Sequence, residues 1–175
     1  HMTQREKKVV LAGAGTMGAS LAQVYAQAGW ETVLYNRSTS GLERAKNLIA
    51  INQETFVREQ LLEKAESEKV MARIQMTTDR DAFQDAALVV ENIVEDLEVK
   101  RAFWAEISRI VPREALLATN TSGLKITEIG KACSHPERFM GQHWLNPPHL
   151  LPLCEIIAGE ETSPENVQRM RQLVE

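Results

Sequence analysis

His143 and Glu155 are the residues whose types and spacing point first to chemistry. His143 follows Phe139-Met140-Gly141-Gln142 near the end of an expected strand, and Glu155 lies twelve residues on, within another. Between them runs Trp144-Leu145-Asn146-Pro147-Pro148-His149. Its two prolines stiffen the loop and bar a helix. A loop so constrained can set its flanking strands side by side and bring Glu155 against His143. A carboxylate beside an imidazole holds the ring in one tautomer and raises its basicity. Such a histidine is able to take a hydroxyl proton while a hydride leaves the same carbon. A core histidine bonded to a backbone carbonyl fits the spacing equally well.

A second constellation lies near the N-terminus. Gly13-Ala14-Gly15-Thr16-Met17-Gly18 is a GxGxxG that directly follows an apolar run and opens a helix-period segment. Gly13 permits a tight turn. Gly15 lets a pyrophosphate approach the backbone, and Gly18 lets helix and strand pack closely. The first turn, with Thr16 and Met17, offers unpaired N–H groups and a positive dipole end to phosphates. A glycine-rich turn without a ligand is the plainer alternative. The residue ending the next strand selects the cofactor, because a carboxylate there binds the ribose hydroxyls of NAD and repels a 2′-phosphate. This chain has Asn36-Arg37-Ser38 instead. Asn36 can still bond a ribose hydroxyl, and Arg37 is either a partner for a 2′-phosphate or a solvated loop residue. The expected cofactor is therefore NAD, with a lean toward tolerance of NADP.

Asn120-Thr121-Ser122 places three small polar side chains after another apolar run, suited to a nicotinamide or a substrate oxygen. Capping the next helix is their alternative role, one that Thr127 could already fill. Glu91 and Glu95 flank the end of a further strand, as helix-start carboxylates or as ligands. His135 and His149 read as loop residues. Four histidines and two cysteines without tight spacing argue against a zinc site.

The elements that must position these groups follow from periodicity. Strands are expected at Lys8–Gly13, Thr32–Tyr35, Ile74–Met76, Leu88–Ile93, Ala115–Thr119, Phe139–Trp144 and Cys154–Ile157. Helices are expected at Thr16–Ala28 and Asp96–Ile110, with two or three more across Gly41–Arg73. Alternating strands and helices imply parallel strands with right-handed crossovers, an α/β doubly wound sheet. Ligands of such sheets bind at the carboxyl ends of the strands, where every motif above falls.

Composition narrows the partners. Twenty Lys+Arg against 24 Asp+Glu give a net charge of −4 with no basic block, which argues against nucleic acid or an anionic membrane surface. No run of 18 apolar residues spans a bilayer. No secretory signal is read, and His1-Met2 reads as an expression scar. Cys133 and Cys154 make no disulfide framework, so a reducing cytoplasm is expected. The 175 residues allow one domain burying roughly 70% of the unfolded chain's surface.

The segments GAGTMG, VVENIVEDLEVK, LLATNTSGLKITEI, PERFMGQHWLNPP and LCEII together resemble the N-terminal cofactor domain of the L-3-hydroxyacyl-CoA dehydrogenases, from about Lys8 to Glu175. The resemblance implies a Rossmann-type, mostly parallel sheet over residues 3–175, with a helical insertion after the second strand. It implies oxidation of a 3-hydroxyacyl-CoA to the 3-oxoacyl-CoA with NAD, as in fatty acid metabolism. The family's catalytic histidine matches His143, its partner glutamate Glu155, and its serine contacting nicotinamide and substrate Ser122. The asparagine of its HxxNP segment matches Asn146, and the glutamate and lysine bordering the cofactor match Glu95 and Lys100. Where the family usually carries Asp this chain has Asn36. Where it carries a serine and a lysine toward coenzyme A, an ungapped extension puts Asn52 and Glu59, and a glutamate repels nucleotide phosphates. Dehydrogenases of small free hydroxy acids, such as L-gulonate and carnitine dehydrogenases, resemble the Pro-Pro and Leu-Leu-Pro-Leu segments at least as well. The resemblance further implies a C-terminal helical domain beyond Glu175 that closes the cleft and makes a homodimer. Without it the chain reads as an isolated cofactor domain or a non-catalytic dinucleotide-binding module.

Overall fold

The short apolar runs at Lys8–Ala12, Leu88–Glu91 and Leu116–Thr119 become inner strands because both of their faces are covered. The computed structural model describes residues 7–121 and 123–174. Its strands are β1 (Lys8–Ala12), β2 (Glu31–Tyr35), β3 (Ile74–Thr77), β4 (Leu88–Glu91), β5 (Leu116–Thr119), β6 (Phe139–Trp144) and β7 (Cys154–Ala158). Its helices are α1 (Thr16–Gln27), α2 (Thr39–Arg58), α3 (Lys64–Ala72), α4 (Leu97–Ile110), α5 (Ile126–Gly130) and α6 (Pro164–Val174). The strands form one seven-stranded sheet in the order β3-β2-β1-β4-β5-β6-β7. All neighbours are parallel except β6 and β7, which are antiparallel. This is the Rossmann-type α/β sheet expected from the alternating pattern.

Successive residues of each strand feed opposite layers. Val9, Leu11, Leu34, Leu88, Val90, Leu116 and Met140 pack under α1, α2 and α6, with Tyr25, Ile49 and Met170. Val10, Val33, Val89, Leu117 and Phe139 pack under α4 and α5, with Trp104, Ile107 and Ile129. Burying a large apolar side chain contributes about 1.5–3 kcal/mol each, so both layers are needed to hold the sheet.

The long polar pattern after β2 resolves into two helices. The first starts at Thr39, earlier than expected, because the Ser38 hydroxyl accepts from the Gly41 N–H. Their docking is polar as well as apolar: Ser67 donates to Gln53 (2.9 Å) and Gln53 to Gln23 (2.8 Å), joining α3, α2 and α1 through buried amides. β4 stops at Glu91, two residues short of the expected end, because Asn92–Asp96 peel away to form one wall of a cleft. Among the described residues no helix is long and apolar enough to cross a membrane.

Candidate active site

The order of strands reverses between β1 and β4, and an open cleft of about 440 Å³ lies at their carboxyl ends. Met17 after β1, Asn92, Ile93 and Glu95 after β4, Asn120 after β5, and His143, Trp144, Leu145 and Asn146 at the end of β6 line it.

The glycine loop has the geometry its spacing demands. Gly13 has φ +104°, and a Cβ there would stand 2.6 Å from the Asn92 carbonyl oxygen. At Gly18 a Cβ would stand 1.9 Å from the Gly13 carbonyl oxygen, so only glycine lets α1 close on the turn. A Cβ at Gly15 would meet nothing within 4 Å. That opening faces the start of α1, which carries no side-chain cap and no acidic residue in its first turn. Thr16 is exposed and Met17 half-buried at this end. Uncapped N–H groups beside an open glycine suit a diphosphate. The Gly13 N–H donates to the Tyr35 carbonyl (2.8 Å) and the Asn92 N–H to the Ala12 carbonyl (2.7 Å), fixing the loop against β2 and β4.

Asn36 stands at the end of β2 beside this loop. Its Oδ1 accepts from the Ala14 N–H (3.3 Å), and its Nδ2 donates to the carbonyl and hydroxyl of Ser38 (3.1 and 3.2 Å). Arg37 is exposed.

His143 and Glu155 are directly opposed across the antiparallel β6–β7 pair. Directly opposed residues share a face, with Cβ atoms about 4.5–5.5 Å apart. No hydrogen bond joins the two among the described residues; His143 faces the cleft half-buried, and Glu155 is exposed. The proline loop does hold the strands together: the Leu145 N–H donates to the Leu153 carbonyl (3.0 Å). Asn146 lies on the cleft rim, exposed. Ser122 lies outside the described residues.

Glu95 and Lys100 play different parts. The Lys100 side chain is wholly buried and does not reach the cleft. It pairs with Glu91, also wholly buried, and with Glu95 at 3.1 Å. Glu91 further accepts from Trp104 Nε1 (3.1 Å), the Thr119 hydroxyl (2.7 Å) and the Ile93 N–H (3.0 Å). Lys100 thus borders the cleft only through Glu95, whose other oxygen accepts from the Thr121 hydroxyl (2.7 Å). Burial pushes the Glu95 carboxyl up, but the Thr121 hydroxyl and the Lys100 ammonium outweigh it and hold it below the usual carboxylate range. Neither Glu91 nor Glu95 caps α4; Asp96 does, accepting from the Val99 N–H. Thr127 lies inside α5 and accepts from the Glu160 N–H, so it is no cap either.

The sequence reading missed Asn92. Its Oδ1 accepts from Asn120 Nδ2 (2.8 Å), and Asn120 Oδ1 in turn accepts from the Trp144 N–H (3.4 Å). This chain spans the cleft floor from β4 to β6. The available signal was position alone, a polar residue just past the carboxyl end of a central strand.

A family model described as the NAD binding domain of 3-hydroxyacyl-CoA dehydrogenase matches residues 8–175. The chain belongs to this family. The NAD-binding domain is 37% identical over 163 residues to a probable 3-hydroxybutyryl-CoA dehydrogenase of Deinococcus radiodurans, covering 93% of this chain and 58% of the relative. It is 32% identical over 169 residues to 5-formyl-3-hydroxy-2-methylpyridine 4-carboxylate 5-dehydrogenase of Mesorhizobium japonicum, covering 96% and 54%. Among solved structures, 3-hydroxybutyryl-CoA dehydrogenase of Escherichia coli K12 superposes with a TM-score of 0.93 at 36% identity, covering 96% of this chain and 36% of that one. The domain thus spans little more than half the length of the first two relatives. The glycine loop with its uncapped helix start fits the family's NAD.

Proposed function

We propose that this domain holds the cofactor and the proton-transfer pair of a dehydrogenase that oxidises a 3-hydroxyacyl-CoA to the 3-oxoacyl-CoA. The observation that carries the reading is the register pairing of His143 with Glu155 on the cleft that runs to the glycine loop. Bound NAD supplies the hydride acceptor. The Gly13–Gly18 turn and the start of α1 bind its diphosphate. His143 takes the proton of the substrate hydroxyl and returns it in the reverse direction. Glu155 stabilises the charged imidazole from across the strand pair. Asn146 and Glu95, on opposite walls, orient what lies between them. Proton transfer by a positioned residue contributes typically about 10²–10⁴-fold. The free cysteines suit a reducing compartment such as the cytoplasm.

A second reading keeps the chemistry and changes the substrate to a free hydroxy acid. Glu59 stands at the end of α2, where a cation would favour coenzyme A. Its nearest charge partner is the exposed Arg58, at 3.9 Å. One relative at 32% identity is named for a pyridine carboxylate rather than a thioester.

The test is turnover of 3-hydroxybutyryl-CoA against 3-hydroxybutyrate, gulonate and carnitine, with the chain alone and joined to a relative's remaining domain. Thioester turnover lost in His143→Ala supports the first reading. Turnover of the free acids alone selects the second. Dinucleotide binding with no turnover in any form leaves only a binding module.

A further inference from the structure

The end of β2 carries an uncharged side chain already consumed by the protein itself. Both ends of the Asn36 amide are occupied, by the Ala14 N–H and by Ser38. The packing is built around that amide: a Cβ on Gly41 would stand 2.2 Å from Asn36 Nδ2. An aspartate in the same rotamer would turn a carboxylate oxygen toward the Ser38 carbonyl in place of a donor. The residue that in NAD-specific folds grips the ribose hydroxyls and repels a 2′-phosphate is therefore replaced by a loop-shaping one.

The charge beside it has the opposite sign. Arg37 is exposed and forms no ion pair among the described residues. The hydroxyls of Ser38 and Ser40 lie next to it, and no acidic residue occupies the first turn of α2. The neighbouring end of β3 does carry Asp79, but that carboxylate accepts from the Asp81 N–H. Arg80, the next cation, is engaged with the Tyr35 hydroxyl and Glu106. Arg37 is thus the cation left to meet an anion at this edge.

We infer that the adenosine end of the site accepts the 2′-phosphate of NADP, with Arg37 as its partner, so that the domain binds NADP as well as NAD. This rests on the reading that the glycine loop holds a pyridine dinucleotide. A guanidinium binds a phosphate through two parallel charge-assisted hydrogen bonds, which a ribose hydroxyl cannot match.

The experiment is fluorescence titration of the protein with NADH and with NADPH, in parallel with displacement by adenosine 2′,5′-bisphosphate and by 5′-AMP. NADPH is expected to bind within about tenfold of NADH, and the bisphosphate to displace better than 5′-AMP. Arg37→Gln should weaken NADPH about tenfold more than it weakens NADH. Asn36→Asp should shift the ratio toward NADH. Binding of NADH without NADPH overturns the inference and leaves the dinucleotide site standing. Equal losses for both cofactors in Arg37→Gln also overturn it. Binding of neither removes the dinucleotide reading as well.

Discussion

Two acid–base groupings flank the same cleft and are built in opposite ways, one buried behind its wall and one open to it. On the β4 side, Lys100 is wholly buried between Glu91 and Glu95, and Glu91 also takes hydrogen bonds from Trp104, Thr119 and Ile93. On the β6–β7 side, His143 and Glu155 meet only by strand register, half-buried and exposed, with no bond between them. The first is a closed polar cluster, and the low dielectric around Glu91 and Lys100 makes the loss of either costly. The second leaves its ring able to meet a substrate. Rigidity and reactivity are thus divided between the two walls, and Asn92–Asn120–Trp144 ties one wall to the other.

The comparison breaks most visibly at Lys100. Lys100→Met leaves the Glu91 carboxylate buried without its cation, and removing one partner of a buried pair costs about 3–5 kcal/mol. Denaturant unfolding should register that loss. A variant that unfolds at the wild-type midpoint would make the cluster ornamental. The opposite wall should behave in the reverse manner. His143→Ala should leave stability within about 0.5 kcal/mol, as changes away from packed features do. In a catalytically complete form it should lower turnover about 10²–10⁴-fold with dinucleotide affinity retained. Loss of folding with turnover intact would exchange the roles assigned to the two walls.

A smaller effect tests how the β4 wall leads into its helix. Asp96 caps α4 through the Val99 N–H (3.1 Å). Asp96→Ala should cost about 1 kcal/mol, read as a lower thermal midpoint. The same truncation at Glu95 should leave the helix cap intact and act on cofactor affinity instead. An equal stability loss in both variants would mean that the wall and the helix start are one unit.

The parts of this site that were legible from the sequence are those written into adjacent residues. The glycine loop states its turn, its opening and its packing within six positions. The prolines between His143 and Glu155 forecast the strand pair, and alternating strands and helices forecast the sheet. The closed cluster was half visible: Glu91 and Glu95 were marked as helix-start carboxylates or ligands, and Glu95 and Lys100 as a pair bordering the cofactor. That Lys100 is buried depends on Trp104, one turn further along α4, and on Thr119 in the next strand. Neither carries a local signal for a charged partner. The Gln23–Gln53–Ser67 bridge and the Ser20–His149 contact join residues far apart in sequence, and a polar residue on a helix looks alike whether it faces water or a neighbouring helix.

Ser20 and His149 sharpen the comparison last and least. The Ser20 hydroxyl shares a hydrogen bond with His149 Nδ1 (2.6 Å) and accepts from the His149 N–H (2.8 Å), anchoring the proline loop behind His143 to α1. Phe56 of α2 packs edge-on against the imidazole at 5.8 Å. Burial holds the His149 ring below the usual histidine range, so the folded state favours the neutral ring. Above the unfolded value of about 6.5 the ring is neutral in both states, and the anchor contributes fully. As pH falls below that value, the unfolded chain takes a proton that the folded chain resists. Stability is then lost progressively until the depressed folded value is passed. His149→Gln should therefore flatten the fall in thermal midpoint between pH 7 and pH 5 relative to the wild type. Ser20→Ala, which spares the ring, should keep a pH-dependent fall while costing about 1 kcal/mol at neutral pH. Parallel pH profiles for wild type and His149→Gln would mean that the anchor does not depend on the state of the ring and rests on the bond from the His149 N–H to Ser20.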